Sequence, residues 1–191
     1  MKLKQLVLAL TASALTASAF AAVDTYNIDP RHTYPSFEAD HMGLSVWRGK
    51  YTKTSGTISV DRAAKTGTVD ILIDAASIDF GLEAMNAHAK KDDIFAVEKY
   101  PTVTYKSKSI TFTGDVPTSI QGELTLKGVT KPVTLAINKF KCIMHPMLKR
   151  EVCGADASAT FNRGDFGVTM GLPNFSPEVK LAIQVEAVKA N

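Results

Sequence analysis

Two cysteines are the residues of this chain whose type and spacing most clearly indicate chemistry. Cys142 and Cys153 are separated by ten residues, and extended, strand-like runs lead into and away from them. In an oxidising compartment, this spacing favours a structural disulfide across a long hairpin, worth about 2–3 kcal/mol through loop closure. A metal site on Cys142, His145 and Cys153 lacks an evident fourth ligand. A redox-active pair would usually have C-x-x-C spacing, which this pair does not. We therefore expect a disulfide and no metal.

The histidines carry the second possible chemistry, acid–base catalysis. The four histidines are His32, His41, His88 and His145. His41 adjoins Asp40, and His88 is close in sequence to Asp92 and Asp93, but catalytic partners usually meet in three dimensions rather than in sequence. The chain contains neither an H-E-x-x-H metal motif nor a G-x-S-x-G nucleophile turn. We therefore assign no catalytic residue, and solvation or backbone hydrogen bonding is the favoured interpretation of the histidines.

The elements that must position these residues are predicted to be β-strands. Apolar residues recur with a period of two, which indicates half-buried antiparallel strands. The runs with this pattern are 69–73, 133–137, 157–161 and 179–187. Weaker runs rich in Thr, Tyr, Val, Ile and Phe are 35–41, 51–60, 102–113 and 119–127. The spacing predicts an all-β, antiparallel meander of about eight strands, and closure into a barrel would remove its exposed edges.

One segment departs from the strand pattern. Residues 81–95 contain strong helix formers, and Leu82, Met85 and Ala89 fall on one face of a short helix. We predict a short helical insertion here, packed over a mouth or side of the barrel.

The first residues resemble a secretory signal peptide. Lys2 and Lys4 precede an apolar stretch at 6–15, and Ala19-Phe20-Ala21 is an A-x-A cleavage site. We expect a signal peptide at 1–21 and a single exported domain at 22–191. Export would place the domain in an oxidising compartment.

Charge and hydropathy exclude two classes of protein. The chain has 22 basic and 19 acidic residues, and removal of the two leader lysines would leave 20 basic residues. This near balance argues against a nucleic-acid-binding protein. After the leader, no stretch approaches the length of a membrane-spanning helix, so we do not expect an integral membrane protein.

The aromatic residues and the small residues of one strand raise the question of a ligand cavity. An eight-stranded barrel can be filled by its own side chains or can hold one small ligand. Ala157 and Ala159 are small residues on the face that carries Phe161, which favours a cavity. Apolar residues are also concentrated in the connections near 80–95 and 164–175, where they could line a mouth. The sequence alone leaves both a hollow and a filled barrel open.

Five ordered blocks of the chain resemble the YceI family of exported proteins. They are N-I-D-P at 27–30 with His32, Ser36-Phe37 and H-M-G-L at 41–44; the segment 88–101 ending V-E-K-Y-P; G-E-L-T-L-K-G-V-T-K-P-V at 122–133; F-N-R-G-D-F-G-V at 161–168; and a terminal strand ending in Glu186-Ala187. The cysteine-bearing segment resembles a subset of this family from Gram-negative bacteria, which fits export to the periplasm.

The resemblance implies an eight-stranded, lipocalin-like antiparallel barrel whose elongated apolar pocket holds a long isoprenoid lipid, such as a polyprenyl chain or an isoprenoid quinone. His41, His88 and Arg163 are candidates for headgroup contact at the mouth. Candidate wall or gate residues are Phe37, Trp47, Phe80, Met85, Phe95, Phe112, Phe161 and Phe166. No cofactor is expected to be required apart from the bound lipid.

Three other functions remain open at this stage. The protein could be a stress-related interaction protein with a filled barrel, and an exposed edge or apolar mouth could pair two copies into a homodimer. It could instead be an enzyme acting on a lipid or quinone through a histidine beside Asp40, Asp92 or Asp93. Haem or metal binding at Cys142, His145 and Cys153 would require free thiols.

Overall fold

A computed structural model describes residues 23–191 of the chain, so the predicted signal peptide at 1–21 lies outside the described residues. Within the described part, one antiparallel sheet contains every strand. The strands are β1 (Asp24–Ile28), β2 (Tyr34–His41), β3 (Ser45–Tyr51), β4 (Thr54–Asp61), β5 (Thr66–Asp74), β6 (Ile78–Asp79), β7 (Thr102–Thr113), β8 (Val116–Leu126), β9 (Val129–Met144), β10 (Glu151–Asn162) and β11 (Glu178–Lys189). The helix α1 spans Glu83–Ala89, and 3₁₀ turns span Ala75–Ser77 and Arg163–Phe166.

The sheet closes into a barrel through β11. One edge of β11 pairs with β10, and the other pairs with both β1 and β2. β1 and β2 therefore share one position in the ring, and β3 and β4 share the next, because β2 pairs with β3 and β1 pairs with β4. The closed ring has the order β1-β4-β5-β7-β8-β9-β10-β11. The predicted eight-stranded antiparallel barrel is confirmed.

Alternation along the strands places one apolar face in the barrel interior. On β9, Val133 and Leu135 are buried while their neighbours Thr134 and Ala136 are exposed. The same period of two applies to β8, where Ile120 and Leu124 belong to the main buried cluster. Successive side chains of a strand point to opposite faces of the sheet, so the pattern read from the sequence becomes the inside and outside of the barrel.

The two ends of the barrel are built differently. The helix end contains the connections at 42–44, 75–101, 127–128 and 163–177, including α1. The disulfide end contains the short turns at 62–65 and 114–115 and the hairpin tip at 145–150. No helix in the described range 23–191 is long and apolar enough to span a membrane.

The predicted short helical insertion is confirmed by α1, which makes about two turns. α1 ends at Ala89, and the rest of the insertion is turns. Ala89 is fully buried, but Leu82 is 59% exposed because it is the N-cap residue, with an extended backbone outside the helical face. Asn86 fixes the helix to the barrel: its Oδ1 accepts from the Phe80 amide at 2.7 Å, and its Nδ2 donates to Asp79 at 2.9 Å.

The predicted disulfide between Cys142 and Cys153 is confirmed. The two residues face each other directly in the β9–β10 ladder, and their sulfurs are bonded. Glu151 lies beside the pair. His145, the third ligand of the alternative metal site, instead uses Nδ1 to accept from the Leu148 amide at 3.2 Å.

Loss of the disulfide should lower the stability of the barrel without changing its topology. Replacing Cys142 and Cys153 with alanine together removes the closure of a short loop, so we expect the free energy of unfolding to fall by about 2–3 kcal/mol. Urea denaturation followed by circular dichroism measures this difference. Reducing agent should destabilise the native protein and leave the double variant unaffected. Two reactive thiols in the folded native protein would contradict the assignment.

Candidate functional site

A cavity of about 530 Å³ extends along the interior of the barrel. Phe161 near the helix end and Cys153 near the disulfide end both line it. These residues are eight positions apart on β10, about 27 Å along the strand. The cavity wall is almost entirely apolar, and the volume falls within the range of about 300–1,000 Å³ typical of small-molecule sites. Of the two alternatives left open by the sequence, the structure has the hollow barrel.

Small residues on β10 leave room for the cavity. Gly154, Ala155 and Ala157 all contribute to its wall. Their neighbours in the ladder, including Val185 and Ile183 on β11, are held at sheet spacing by backbone hydrogen bonds and cannot move in to fill the space. The ring of strands therefore fixes the width of the interior, and the small side chains leave part of it unfilled.

Most of the predicted contact residues line the cavity. Those that do so are Phe37, His41, Trp47, Phe80, Met85, His88, Phe95, Phe112, Phe161 and Arg163. Phe112 lies near the end of β7, at the disulfide end of the barrel. The other residues lie toward the helix end.

Phe166 is the exception among these residues, and it is not part of the cavity wall. It is 1% exposed and packs edge-on against Phe161, with ring centroids 5.1 Å apart. The 3₁₀ turn at Arg163–Phe166 directs it into the core behind Phe161. Phe166 therefore packs against the wall residue Phe161 and does not itself line the cavity.

An aromatic rim surrounds the cavity at the helix end, formed by Phe37, His41, Trp47, Phe80 and Phe175. The His41 ring stacks on Trp47 at 4.6 Å and lies 4.9 Å from Phe175. Phe80 meets Phe37 edge-on at 5.4 Å and lies 6.2 Å from Trp47. Because these contacts join β2, β3 and two connections, the rim forms only when the barrel has closed.

One glycine makes the position of Phe37 possible. Gly49 lies directly opposite Phe37 in the β2–β3 ladder, and a Cβ at this position would come within 2.5 Å of the Phe37 ring. The ring is flanked by Phe80 and by Tyr51, whose ring centroid is 6.1 Å away. The absence of a side chain at residue 49 therefore allows the Phe37 ring to lie across β3.

Of the histidine–aspartate pairs considered as an alternative from the sequence, only one that involves His88 is formed. His88 Nε2 lies 2.9 Å from Asp93 Oδ2, and this hydrogen bond lowers the pKa of Asp93. Asp40 does not pair with His41 in this structure; its Oδ2 accepts from the Gly43 amide at 2.7 Å. The His88–Asp93 pair is accessible to solvent, since each side chain is about half exposed.

Arg163 holds the connection that covers the helix end. Its Nε donates to the Ser176 carbonyl at 3.0 Å, and one terminal nitrogen donates to the carbonyls of Val168 and Met170, both at 2.9 Å. Burial lowers the pKa of this guanidinium. These hydrogen bonds show that Arg163 organises the 163–177 connection. The headgroup contact suggested by the sequence stays a prediction.

The structure also reveals a charged cluster that sequence reasoning missed. At the disulfide end, Arg62 contacts Glu151 and donates to the Tyr26 hydroxyl at 2.7 Å, which raises the pKa of Arg62. Lys189 and Asp24 form an adjoining ion pair at 2.6 Å. The five residues come from four separate segments, so no local sequence pattern marks them. Arg62 and Tyr26 line the cavity, and the cluster covers this end of it.

Comparisons with known proteins agree with this architecture. The model of the YceI-like domain matches residues 26–187. A protein of Pseudomonas aeruginosa strain LESB58, named UPF0312 protein, is 32% identical over 185 residues, which cover 95% of each chain.

Two solved structures have the same fold. One is BcnA of Burkholderia cenocepacia, which has a TM-score of 0.68 at 22% identity and covers 83% of this chain and 98% of its own. The other is a polyisoprenoid-binding domain from Saccharophagus degradans, with a TM-score of 0.65 at 15% identity, covering 86% of this chain and 98% of its own.

Replacing Arg163 with methionine should loosen the cover of the helix end. The change removes three hydrogen bonds from a charged donor to carbonyl oxygens, so we expect the free energy of unfolding to fall by about 2 kcal/mol. Amide hydrogen exchange should also accelerate at 164–177 before the barrel strands exchange. Arg48→Met is the matched control, because Arg48 makes an exposed ion pair with Glu38 and should change stability by less than about 1 kcal/mol. Equal effects of the two substitutions would contradict the role assigned to Arg163.

Proposed function

This chain belongs to the YceI-like family, and on that premise we propose that it is a periplasmic binding protein that sequesters or carries a long-chain isoprenoid lipid, either a polyprenyl chain or an isoprenoid quinone. The observation that carries the proposal is the continuous apolar cavity along the barrel, of about 530 Å³. The periplasmic location rests on the predicted signal peptide at 1–21 and on the disulfide, which is typical of oxidising compartments.

Binding would be driven by removal of the lipid tail from water. Each buried CH₂ group contributes about 0.8 kcal/mol, so affinity grows with the length of tail that the cavity accepts. The wall between Phe161 and Cys153 offers a long, narrow apolar surface, which suits an extended chain better than a compact ligand. The name of the Saccharophagus degradans domain, polyisoprenoid-binding, supports an isoprenoid tail as the ligand class.

The proposal assigns a binding role and no catalytic step. His41 stacks between Trp47 and Phe175, and the neighbouring Asp40 carboxylate accepts from the Gly43 amide. His88 and Asp93 form a hydrogen-bonded pair that solvent reaches. These contacts support His41 as a wall residue that the tail passes at the mouth, and His88 as a polar residue beside it.

The first test is to plug the cavity from within. Ala157→Phe would place an aromatic ring among the wall residues and displace several methylene groups of a bound tail, so we expect affinity for an isoprenoid quinone to fall at least about tenfold. Trp47 is the single tryptophan of the chain and lines the cavity, so quenching of its fluorescence by the quinone reports binding.

Ala182→Phe provides the matched control for this test. Ala182 lies on β11 opposite Ser158, one residue along from the inward-facing Ile183, and is exposed on the outer face of the barrel. This variant should bind the quinone like the native protein. A native protein that neither co-purifies with a prenyl lipid, by mass spectrometry of its organic extract, nor binds added isoprenoid quinone would overturn the proposal.

A further inference from the structure

Five buried side chains bring hydroxyl groups to the wall of the cavity. They are Tyr26, Thr33, Tyr51, Thr54 and Tyr105. Buried hydroxyl groups in folded proteins nearly always have hydrogen-bond partners. A partner within the protein therefore indicates a structural role for the hydroxyl. Tyr26 belongs to the charged cluster with Arg62 and Glu151 described above.

Two more of these hydroxyls are used by the barrel itself. Thr33 Oγ1 donates to the carbonyl of Glu186 and accepts from its amide, both at 3.1 Å. The Tyr105 hydroxyl reaches the carbonyls of Ile120 and Val133 at 3.1 and 2.9 Å, and burial raises the pKa of Tyr105 to about 12. These groups are structural and have no need of a ligand.

Thr54 differs, because its buried Oγ1 has no hydrogen-bond partner among residues 23–191, and Tyr51 lies three residues before it in the same cavity wall. Tyr51 is 8% exposed and Thr54 is 3% exposed. A hydroxyl removed from water without a replacement hydrogen bond is unfavourable for folding, so the Thr54 hydroxyl, which faces the cavity beside Tyr51, requires an explanation.

The two residues come from the same short stretch of chain. Tyr51 ends β3 and Thr54 begins β4, and both residues line the cavity at the break between these strands. Thr54 pairs with Ile73, which in turn pairs with Val103 at the start of β7, and this register places the pair toward the helix end. Phe112 lies farther along the cavity, at the disulfide end.

The arginines that line the cavity, Arg62 and Arg163, already have partners in the protein, which are Glu151 for Arg62 and three backbone carbonyls for Arg163. Burial raises the pKa of the Tyr51 hydroxyl above the ordinary tyrosine value. A phosphate placed here would be a buried anion without a cationic partner, which is strongly unfavourable. A neutral oxygen atom would accept hydrogen bonds from both hydroxyls at little desolvation cost.

We infer that Tyr51 and Thr54 form a polar subsite that hydrogen-bonds a neutral carbonyl or hydroxyl group at the polar end of an otherwise apolar lipid. This inference rests on the proposed function and adds the chemistry of the ligand's polar end to it. With the polar end at Tyr51 and Thr54, the tail extends past Phe112 toward the disulfide end.

The test compares ligands that share an isoprenoid tail of six units and differ at the polar end. The four probes are the hydrocarbon squalene, hexaprenol, a ubiquinone with a six-unit tail, and hexaprenyl diphosphate. Displacement of a fluorescent fatty acid from the native protein and from the double variant Tyr51→Phe, Thr54→Val gives the affinities. Native protein should bind hexaprenol or the quinone more tightly than squalene, and should not prefer the diphosphate.

In the double variant, affinity for hexaprenol or the quinone should fall about three- to tenfold, while affinity for squalene stays unchanged. A larger loss of affinity for hexaprenol identifies a hydroxyl as the bound group, and a larger loss for the quinone identifies a carbonyl. Because the Thr54 hydroxyl has no partner among residues 23–191, the variant should unfold in urea at the same or a higher midpoint than native protein. Tyr105→Phe is the control: it should lower that midpoint and leave the ratio of hexaprenol to squalene affinity unchanged.

The outcomes separate the inference from the proposed function. Unchanged affinity ratios in the double variant, or tightest binding of the diphosphate by native protein, would overturn the polar subsite and leave isoprenoid binding intact. A lower urea midpoint of the double variant, with unchanged ratios, would assign the two hydroxyls a structural role. Failure of native protein to bind any of the four probes would overturn the proposed function itself.

Discussion

Backbone hydrogen bonds join β11 to β10 along one edge and to β1 and β2 along the other, and this double pairing closes the sheet. A closed ring has no free edge, so each of its eight positions is held at a fixed spacing from two neighbours. Alternate side chains of each strand must then enter one enclosed space. The apolar lining, the width of the cavity and the meeting of distant aromatic residues at one end all depend on this closure.

The ends of the barrel differ in the interactions that close them. At the disulfide end, a covalent bond and the cluster of Arg62, Tyr26 and Glu151 hold short turns in place. At the helix end, longer connections are held by aromatic contacts and by the hydrogen bonds of Arg163 to backbone carbonyls. Weak contacts between long connections open at lower free energy than a cross-linked hairpin, so we expect the helix end to open before the disulfide end.

The sequence predicted the features that depend on local pattern. The alternation along β9, β10 and β11 indicated strands, and two cysteines in flanking runs indicated the disulfide. The sequence pattern did not predict features that depend on the direction of a single side chain. Phe166 ends a 3₁₀ turn that directs it into the core. Arg163 donates to carbonyls in a connection that has no regular sequence pattern. Tyr51 and Thr54 flank a break between two strands, where the inside–outside alternation restarts.

Phe37 and Gly49 show how strongly two positions of the rim depend on each other. Even a methyl group at residue 49 would overlap the Phe37 ring, which packs against Tyr51 and Phe80. In evolutionary terms the two positions are epistatic. A side chain becomes acceptable at residue 49 only after a smaller residue has replaced Phe37, and that first step would itself widen the mouth. Along this route, the shape of the entrance can change only in a set order of substitutions.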